Sequence, residues 1–300
     1  MTERGSFRRF GMRLDRHGRG LLLAPPFLVI LVVVGYPIAY SLWVSFVEFN
    51  GRSAASPFVG LRNYRLFIED GIARQSVTTT AALAVAACAI ELVLGFALAF
   101  VVSKPFRGRG MLTIVCVLPL FVSPVVAAQL WILLLRAGTG PVDIVYSHVL
   151  GHPLGVDWAA APWGYVTILL VDVWQWTPFM FLILLVGLIA VPPELDEAAD
   201  IDGAGPMRTM RSITLPLIVP YIGTAVVIRI IDSAKLFEVP YTLTGGHPGL
   251  DMYTVSFYLF ESGFVSFFQS FAAAGSWLLL GVLFAISFPL LYFLRTRETE

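Results

Sequence analysis

The chain has 300 residues, of which 57% are hydrophobic and only 13% charged. Soluble domains carry about 25% charged residues, so this chain lacks the polar side chains to cover a water-facing surface of its size, and lipid must solvate much of it. Its 20 Lys and Arg balance its 20 Asp and Glu, so net charge gives no ground for a nucleic-acid partner.

A membrane-spanning helix needs about 20 largely apolar residues. Six stretches meet or approach that length: Leu21–Phe46, Val77–Val102, Leu112–Leu135, Trp163–Val191, Leu215–Ile231 (extending toward 235) and Ala272–Leu294. The expected fold is therefore all-α, a polytopic membrane protein with six transmembrane helices. The first stretch has a basic flank like a signal peptide, but its apolar run is too long and no A-x-A-like site follows, so it reads as an uncleaved span.

The N-terminal tail, residues 1–20, holds Arg4, Arg8, Arg9, Arg13, Arg16 and Arg19. Lys104, Arg107 and Arg109 lie in the second connection, Arg208 and Arg211 in the fourth, and Arg295 and Arg297 in the tail 295–300. The first connection holds Arg52, Arg62, Arg65 and Arg74, and the third and fifth hold almost none. Basic residues stay on the cytoplasmic side, so both termini are expected there and the odd-numbered connections outside. Those outer connections are long, rich in Gly and Pro, and carry aromatics such as Phe58, Tyr64 and the run Tyr253 to Phe271. Such loops read as a folded, partner-facing surface.

Pro37, Pro119, Pro124, Pro178, Pro216 and Pro220 fall in or beside spans, where they free backbone carbonyls and favour bends. Cys88 and Cys116 sit in apolar runs and read as small buried hydrophobes. The four histidines, including His148 and His152, have no Cys or Glu nearby to complete a ligand set, so no metal site is expected.

The fourth connection, residues 192–214, is the most informative. Pro192 and Pro193 suit a helix start, and Glu194, Asp196 and Glu197 fall in the first turn, where the helix dipole favours anions. Gly203 fits a left-handed helix stop, and Pro206 starts a second helix that carries Arg208 and Arg211 into the fifth span. Leu195, Ala198 and Ala199 share a face by helical spacing. Helix, glycine turn, helix is an arrangement suited to docking in a groove on a cytoplasmic partner.

Ionisable residues inside spans are costly and mark candidate function. Arg229, Asp232 and Ser233 recur at i, i+3 and i+4 in span five, with Lys235 just beyond, and Asp172, Trp174, Gln175 and Trp176 cluster in span four. These are the residue types that hold sugars, through planar hydrogen bonds and aromatic faces. Other readings stand beside that one: an Arg229–Asp232 pair that only packs helices, an interfacial belt for Trp174 and Trp176, and a bond from the isolated Glu91 to a neighbouring helix.

The fourth connection also resembles the EAA loop of ABC importer permeases. That pattern is E-A-A, three residues, G, nine residues, I, one residue, L-P. Glu197, Ala198, Ala199, Gly203, Ile213, Leu215 and Pro216 meet each spacing, and Asp202, Gly203 and Ala204 match the D-G-A variant of sugar permeases. Phe58 to Tyr64 resembles F-x-G-L-x-N-Y, and Leu243 to Gly249 resembles L-T-x-G-G-P with His247 intruding. Both occur in permeases of the maltose type, and the chain looks like their minimal six-span form.

The resemblance implies a type I ABC importer fold and a bacterial or archaeal cell-membrane location. It implies a second homologous permease, a homodimeric cytoplasmic ATPase, an extracytoplasmic substrate-binding protein and a carbohydrate substrate. It also implies that the chain is not an enzyme: it has no catalytic residues and no cofactor of its own, since ATP and Mg are held by the ATPase. Glu197 and Gly203 become the main coupling residues, and the span-four and span-five clusters become sugar-pathway candidates. The absence of a strongly basic cluster disfavours a phosphorylated substrate. An ion-coupled secondary transporter is the alternative, but it would leave the fourth connection unexplained.

Overall fold

The computed structural model describes residues 25–49, 56–246 and 252–297, with side chains through 289. The N-terminal tail, Arg52, His247 to Gly249, and the side chains of Arg295 and Arg297 lie outside the described residues.

The described residues form helices and no strand, apart from one isolated bridge between Val47 and Phe58. In chain order they are α1 (Pro25–Ser45), α2 (Arg62–Glu69), α3 (Gly71–Ser103), α4 (Arg109–Phe121), α5 (Pro124–Leu135), α6 (Pro141–Leu150), α7 (Trp163–Ile189), α8 (Pro193–Ile201), α9 (Pro206–Ser233), α10 (Glu238–Thr244), α11 (Val255–Val265) and α12 (Gln269–Arg297). Helices α1, α3, α7, α9 and α12 are long and apolar enough to cross a membrane.

The expected third span is not one straight helix. It divides into α4 and α5, which meet at a 100° bend. Pro119 tightens the end of α4 into a 3₁₀ turn over Leu118–Phe121, Val122 and Ser123 are extended, and Pro124 restarts the helix. A break at this depth frees carbonyls that water cannot reach. Gln175 on α7 donates its Nε2 hydrogen to the Val122 carbonyl at 2.6 Å and so satisfies one of them. Two other boundaries differ from expectation. Helix α3 begins at Gly71, where Asp70 caps it by accepting from the Ala73 amide at 2.6 Å. Helix α9 stops at Ser233, just short of 235; a turn over 234–237 separates it from α10.

Helices α3 and α7 run parallel and form the spine. Leu83 meets Ile168 and Val171 in one apolar cluster, and Ala99 and Val102 meet Phe181, Leu184 and Leu185 in a second. Between the clusters, Gly95 lets the backbones touch: a Cβ there would lie 2.7 Å from Met180 Cβ and 2.9 Å from the Phe181 nitrogen. Helix α9 runs antiparallel to both, with Ala225 packed on Cys88 and Met180.

Phe58 to Tyr64 has a local task. Asn63 is buried and donates from Nδ2 to the carbonyls of Ser45 and Val47, both at 2.9 Å, and the Tyr64 hydroxyl bonds that of Ser45 at 2.7 Å. The two Asn63 bonds satisfy carbonyls at and just beyond the end of α1. The aromatic stretch after residue 252 is folded, as its composition suggests. Phe257 and Phe260 pack against Phe237 and Tyr241, with ring centroids 4.9–6.0 Å apart.

Candidate functional site: a charged cleft joined to an exposed helical turn

A charge in the apolar middle of a bundle costs several kcal/mol unless it is paired and hydrogen-bonded. Arg229, on α9, is 1% exposed and finds its partners on two other helices. Its Nε and Nη2 donate to Glu91 of α3 at 2.6 and 2.8 Å, a two-pronged fork onto one carboxylate. Nη2 also donates to Asp172 of α7, and Nη1 reaches Asp232 one turn along at 3.4 Å. The guanidinium lies 5.1 Å from the centre of the Trp176 ring, within cation–π range. Glu91 and Asp172 are buried, at 0% and 4% exposure. One side chain thus ties together three of the spanning helices.

Beside this knot is a cleft of ≈ 240 Å³. Asp172, Gln175 and Trp176 line it from α7, and Arg229, Asp232 and Ser233 line it from α9. Lys235 and Leu236 come from the turn after α9, Glu238 and Val239 from α10, and Pro124 from the start of α5. Lys235 Nζ lies 3.6 Å from Asp232 Oδ1. Gln175 Oε1 and Ser233 Oγ are buried without a hydrogen-bond partner. A pocket with fixed acceptors, a charged group and an aromatic face is built to orient a polar ligand. A larger hollow of ≈ 670 Å³ between α1, α11 and α12 is mostly apolar, with Lys235, Ser256, Gln269 and Ser276 among its polar lining.

Seven of the eight pathway residues expected from the sequence therefore share one cleft. Trp174 does not. It packs edge-on to Trp131, ring centroids 6.2 Å apart, in the apolar cluster behind α7. The reason is helical phase: residues two apart point to opposite sides, whereas Asp172, Gln175 and Trp176 lie at i, i+3 and i+4. Glu91 was visible as an isolated carboxylate but not as the partner of Arg229; Glu238 carried no signal beyond its residue type, and Pro124 only that of a span-interrupting proline.

The fourth connection folds as helix, turn, helix. Pro193 occupies the first turn of α8, with Glu194 and Asp196 beside it. The helix ends at Gly203, whose φ of +71° is left-handed. The Asp202 amide donates to the Ala198 carbonyl at 3.0 Å and the Ala204 amide to the Ala199 carbonyl at 2.9 Å, closing the last turn. Glu197, Ala198 and Asp202 are exposed, as are Leu195, Met207 and Ile201, the last at 86%. Ala199 is buried and Ala204 half-buried, so Leu195, Ala198 and Ala199 do not present a single free face. Helix α9 then runs from Pro206 for 28 residues to Ser233, passing Ile213 and Leu215, both half-buried, and the exposed Pro216. One helix therefore joins the exposed turn at its start to the cleft at its end.

Residues 91–296, which include both features, match the family of binding-protein-dependent transport system inner membrane components. The chain belongs to this family. It is a permease of the cell membrane. It is 34% identical over 230 residues to the trehalose/maltose transport system permease protein MalF of Thermococcus litoralis, covering 76% of this chain and 77% of that one. It is 32% identical over 295 residues to the trehalose transport system permease protein SugA of Mycobacterium tuberculosis, covering 96% and 92%. In structure the permease superposes on a chain of a bacterial ABC transporter involved in the import of the acidic polysaccharide alginate. The TM-score is 0.79 at 20% identity, with 96% of this chain and 99% of that chain covered. That likeness supports the fold of an ABC importer permease.

Proposed function

We propose that this permease, with a second homologous permease, forms the path by which a carbohydrate delivered by an extracytoplasmic binding protein crosses the membrane. A homodimeric cytoplasmic ATPase, which holds ATP and Mg, drives the crossing. Helix α8 and the Gly203 turn sit in a cleft of that ATPase, and both termini of the chain are cytoplasmic.

The observation that carries this reading is the continuity of α9 between the exposed turn and the cleft. The helix stays continuous through a π-helical stretch at Met210–Thr214 and through Pro220, so movement of the turn is passed along it to Arg229, Asp232 and Ser233. ATP binding closes the ATPase, draws the turn with it and opens the cleft outward; hydrolysis resets it. Nucleotide and loaded binding protein then act as two ligands favouring one state of a common equilibrium. The cleft suits a sugar: Trp176 supplies a ring face for C–H surfaces, and Gln175, Ser233 and Asp232 supply sites for hydroxyls. The names of the relatives, trehalose and maltose permeases, point the same way.

The test is reconstitution of this permease with the second permease, ATPase and binding protein in proteoliposomes, using radiolabelled trehalose. Uptake is expected only with ATP on the ATPase side. Uptake driven by a proton or sodium gradient without ATP would replace this reading with an ion-coupled one, in which the buried carboxylates hold the ion.

A further inference from the structure

The charges around the cleft are unevenly matched. Asp172, Asp232 and Glu238 face it against Arg229 and Lys235, and Glu91 stands directly behind Arg229. Four carboxylates thus surround two cations.

The hydrogen-bonding capacity is uneven in the same sense. Arg229 has its Nε–H and both Nη2 hydrogens directed to Glu91 and Asp172, and Nη1 faces Asp232. Its positive charge is already answered by protein carboxylates. Lys235 is paired with Asp232. Among the buried atoms, those left over are Gln175 Oε1, which can only accept, and Ser233 Oγ, which can accept or donate; the Lys235 ammonium, largely exposed, keeps hydrogens of its own. Gln175 and Ser233 are 3% and 2% exposed and both line the cleft. The Gln175 amide cannot be flipped to exchange Oε1 for its nitrogen, because Nε2 donates to the Val122 carbonyl at the bend between α4 and α5.

We propose that this cleft favours ligands that bring hydrogen-bond donors and carry no negative charge, neutral or amino sugars, over sugar phosphates and uronic acids. A phosphate or carboxylate would bring only acceptors to Gln175 Oε1 and a negative charge beside Asp232 and Glu238, where the low dielectric strengthens repulsion. Hydroxyl or ammonium hydrogens meet Gln175 Oε1 and the carboxylates directly. This rests on the sugar reading of the cleft.

Binding proteins impose their own selection, so the test omits them. The purified transporter complex in detergent is titrated with trehalose, glucosamine and glycerol 3-phosphate, reading tryptophan fluorescence, with Trp176→Phe identifying the cleft signal. Trehalose and glucosamine are expected to give a saturable, Trp176-dependent change, and glycerol 3-phosphate roughly tenfold weaker binding or none. The variant Glu238→Gln is expected to narrow that gap. Glycerol 3-phosphate binding as tightly as trehalose would overturn the proposal while leaving the sugar reading intact. If none of the three gave a Trp176-dependent signal while the complex still hydrolysed ATP, the sugar reading of the cleft would fall, and this proposal with it.

Discussion

Arg229 is held so completely by carboxylates that its removal exposes what the knot stabilises. Arg229→Ala leaves Glu91 and Asp172 buried without a cation. Breaking a buried pair in this way costs about 3–5 kcal/mol, so the thermal unfolding midpoint of the detergent-solubilised protein should fall well below wild type. Glu91→Gln keeps an oxygen to accept from the guanidinium and should cost less. Equal midpoints for Arg229→Ala and wild type would mean that the three helices hold together without the knot. The sequence showed each member of this knot, and the Arg229–Asp232 pair one turn apart, but not the pairing of Arg229 with Glu91 and Asp172. Glu91 and Arg229 are 138 residues apart, and local periodicity has no reach over that separation. Elementary electrostatics did contain the signal, since a carboxylate in a long apolar helix must find a cation and Arg229 is the cation within the fifth span. Trp174 was separable from Trp176 by helical phase alone.

Among the helices, the spine depends on close approach and the bend on a single amide. At Gly95 any side chain meets Met180 and Phe181. Gly95→Val is therefore expected to prevent α3 and α7 from packing, seen as loss of folded protein on size-exclusion chromatography. Gly281 on α12 has nothing within 4 Å of an added Cβ. Gly281→Ala should be neutral or stabilising by up to about 1 kcal/mol, because alanine has less freedom to lose in a helix. Gln175→Leu removes the donor from the Val122 carbonyl and should cost about 1–3 kcal/mol, read as a lower unfolding midpoint; it should also weaken sugar binding. Pro119 and Pro124 announced an interruption in the third span, but not a 100° bend. The angle depends on what α7 offers the freed carbonyl, and Gln175 lies 53 residues away from it in sequence. The α8 turn was legible because everything it needs is local: a proline at the start, acids in the first turn, and a glycine where φ turns positive.

The whole molecule is a bundle in which one end of α9 meets solvent at the α8 turn and the other forms a wall of the cleft. The proposed orientation rests on the basic connections, and labelling can check it. In a variant without native cysteines, Ile201→Cys is expected to react with a membrane-impermeant maleimide only from the cytoplasmic side. Ile144→Cys on α6 should react only from outside. The reverse pattern would place the turn away from any ATPase. Family membership explains why so much of the architecture could be anticipated: span lengths are set by the bilayer and the turn by its motif. The cleft was anticipated only as a list of residue types, because its geometry comes from helices meeting across distant parts of the chain.

The decisive measurement is ATP-driven uptake by the reconstituted complex carrying Gly203→Pro. Proline fixes φ near −65° and has no N–H, so it can keep neither the +71° turn nor the bond from the Gly203 amide to the Asp200 carbonyl. The variant should insert, assemble with the ATPase and hydrolyse ATP, yet accumulate no labelled trehalose. Uptake at the wild-type rate would contradict the claim that this turn carries the ATPase stroke into the membrane.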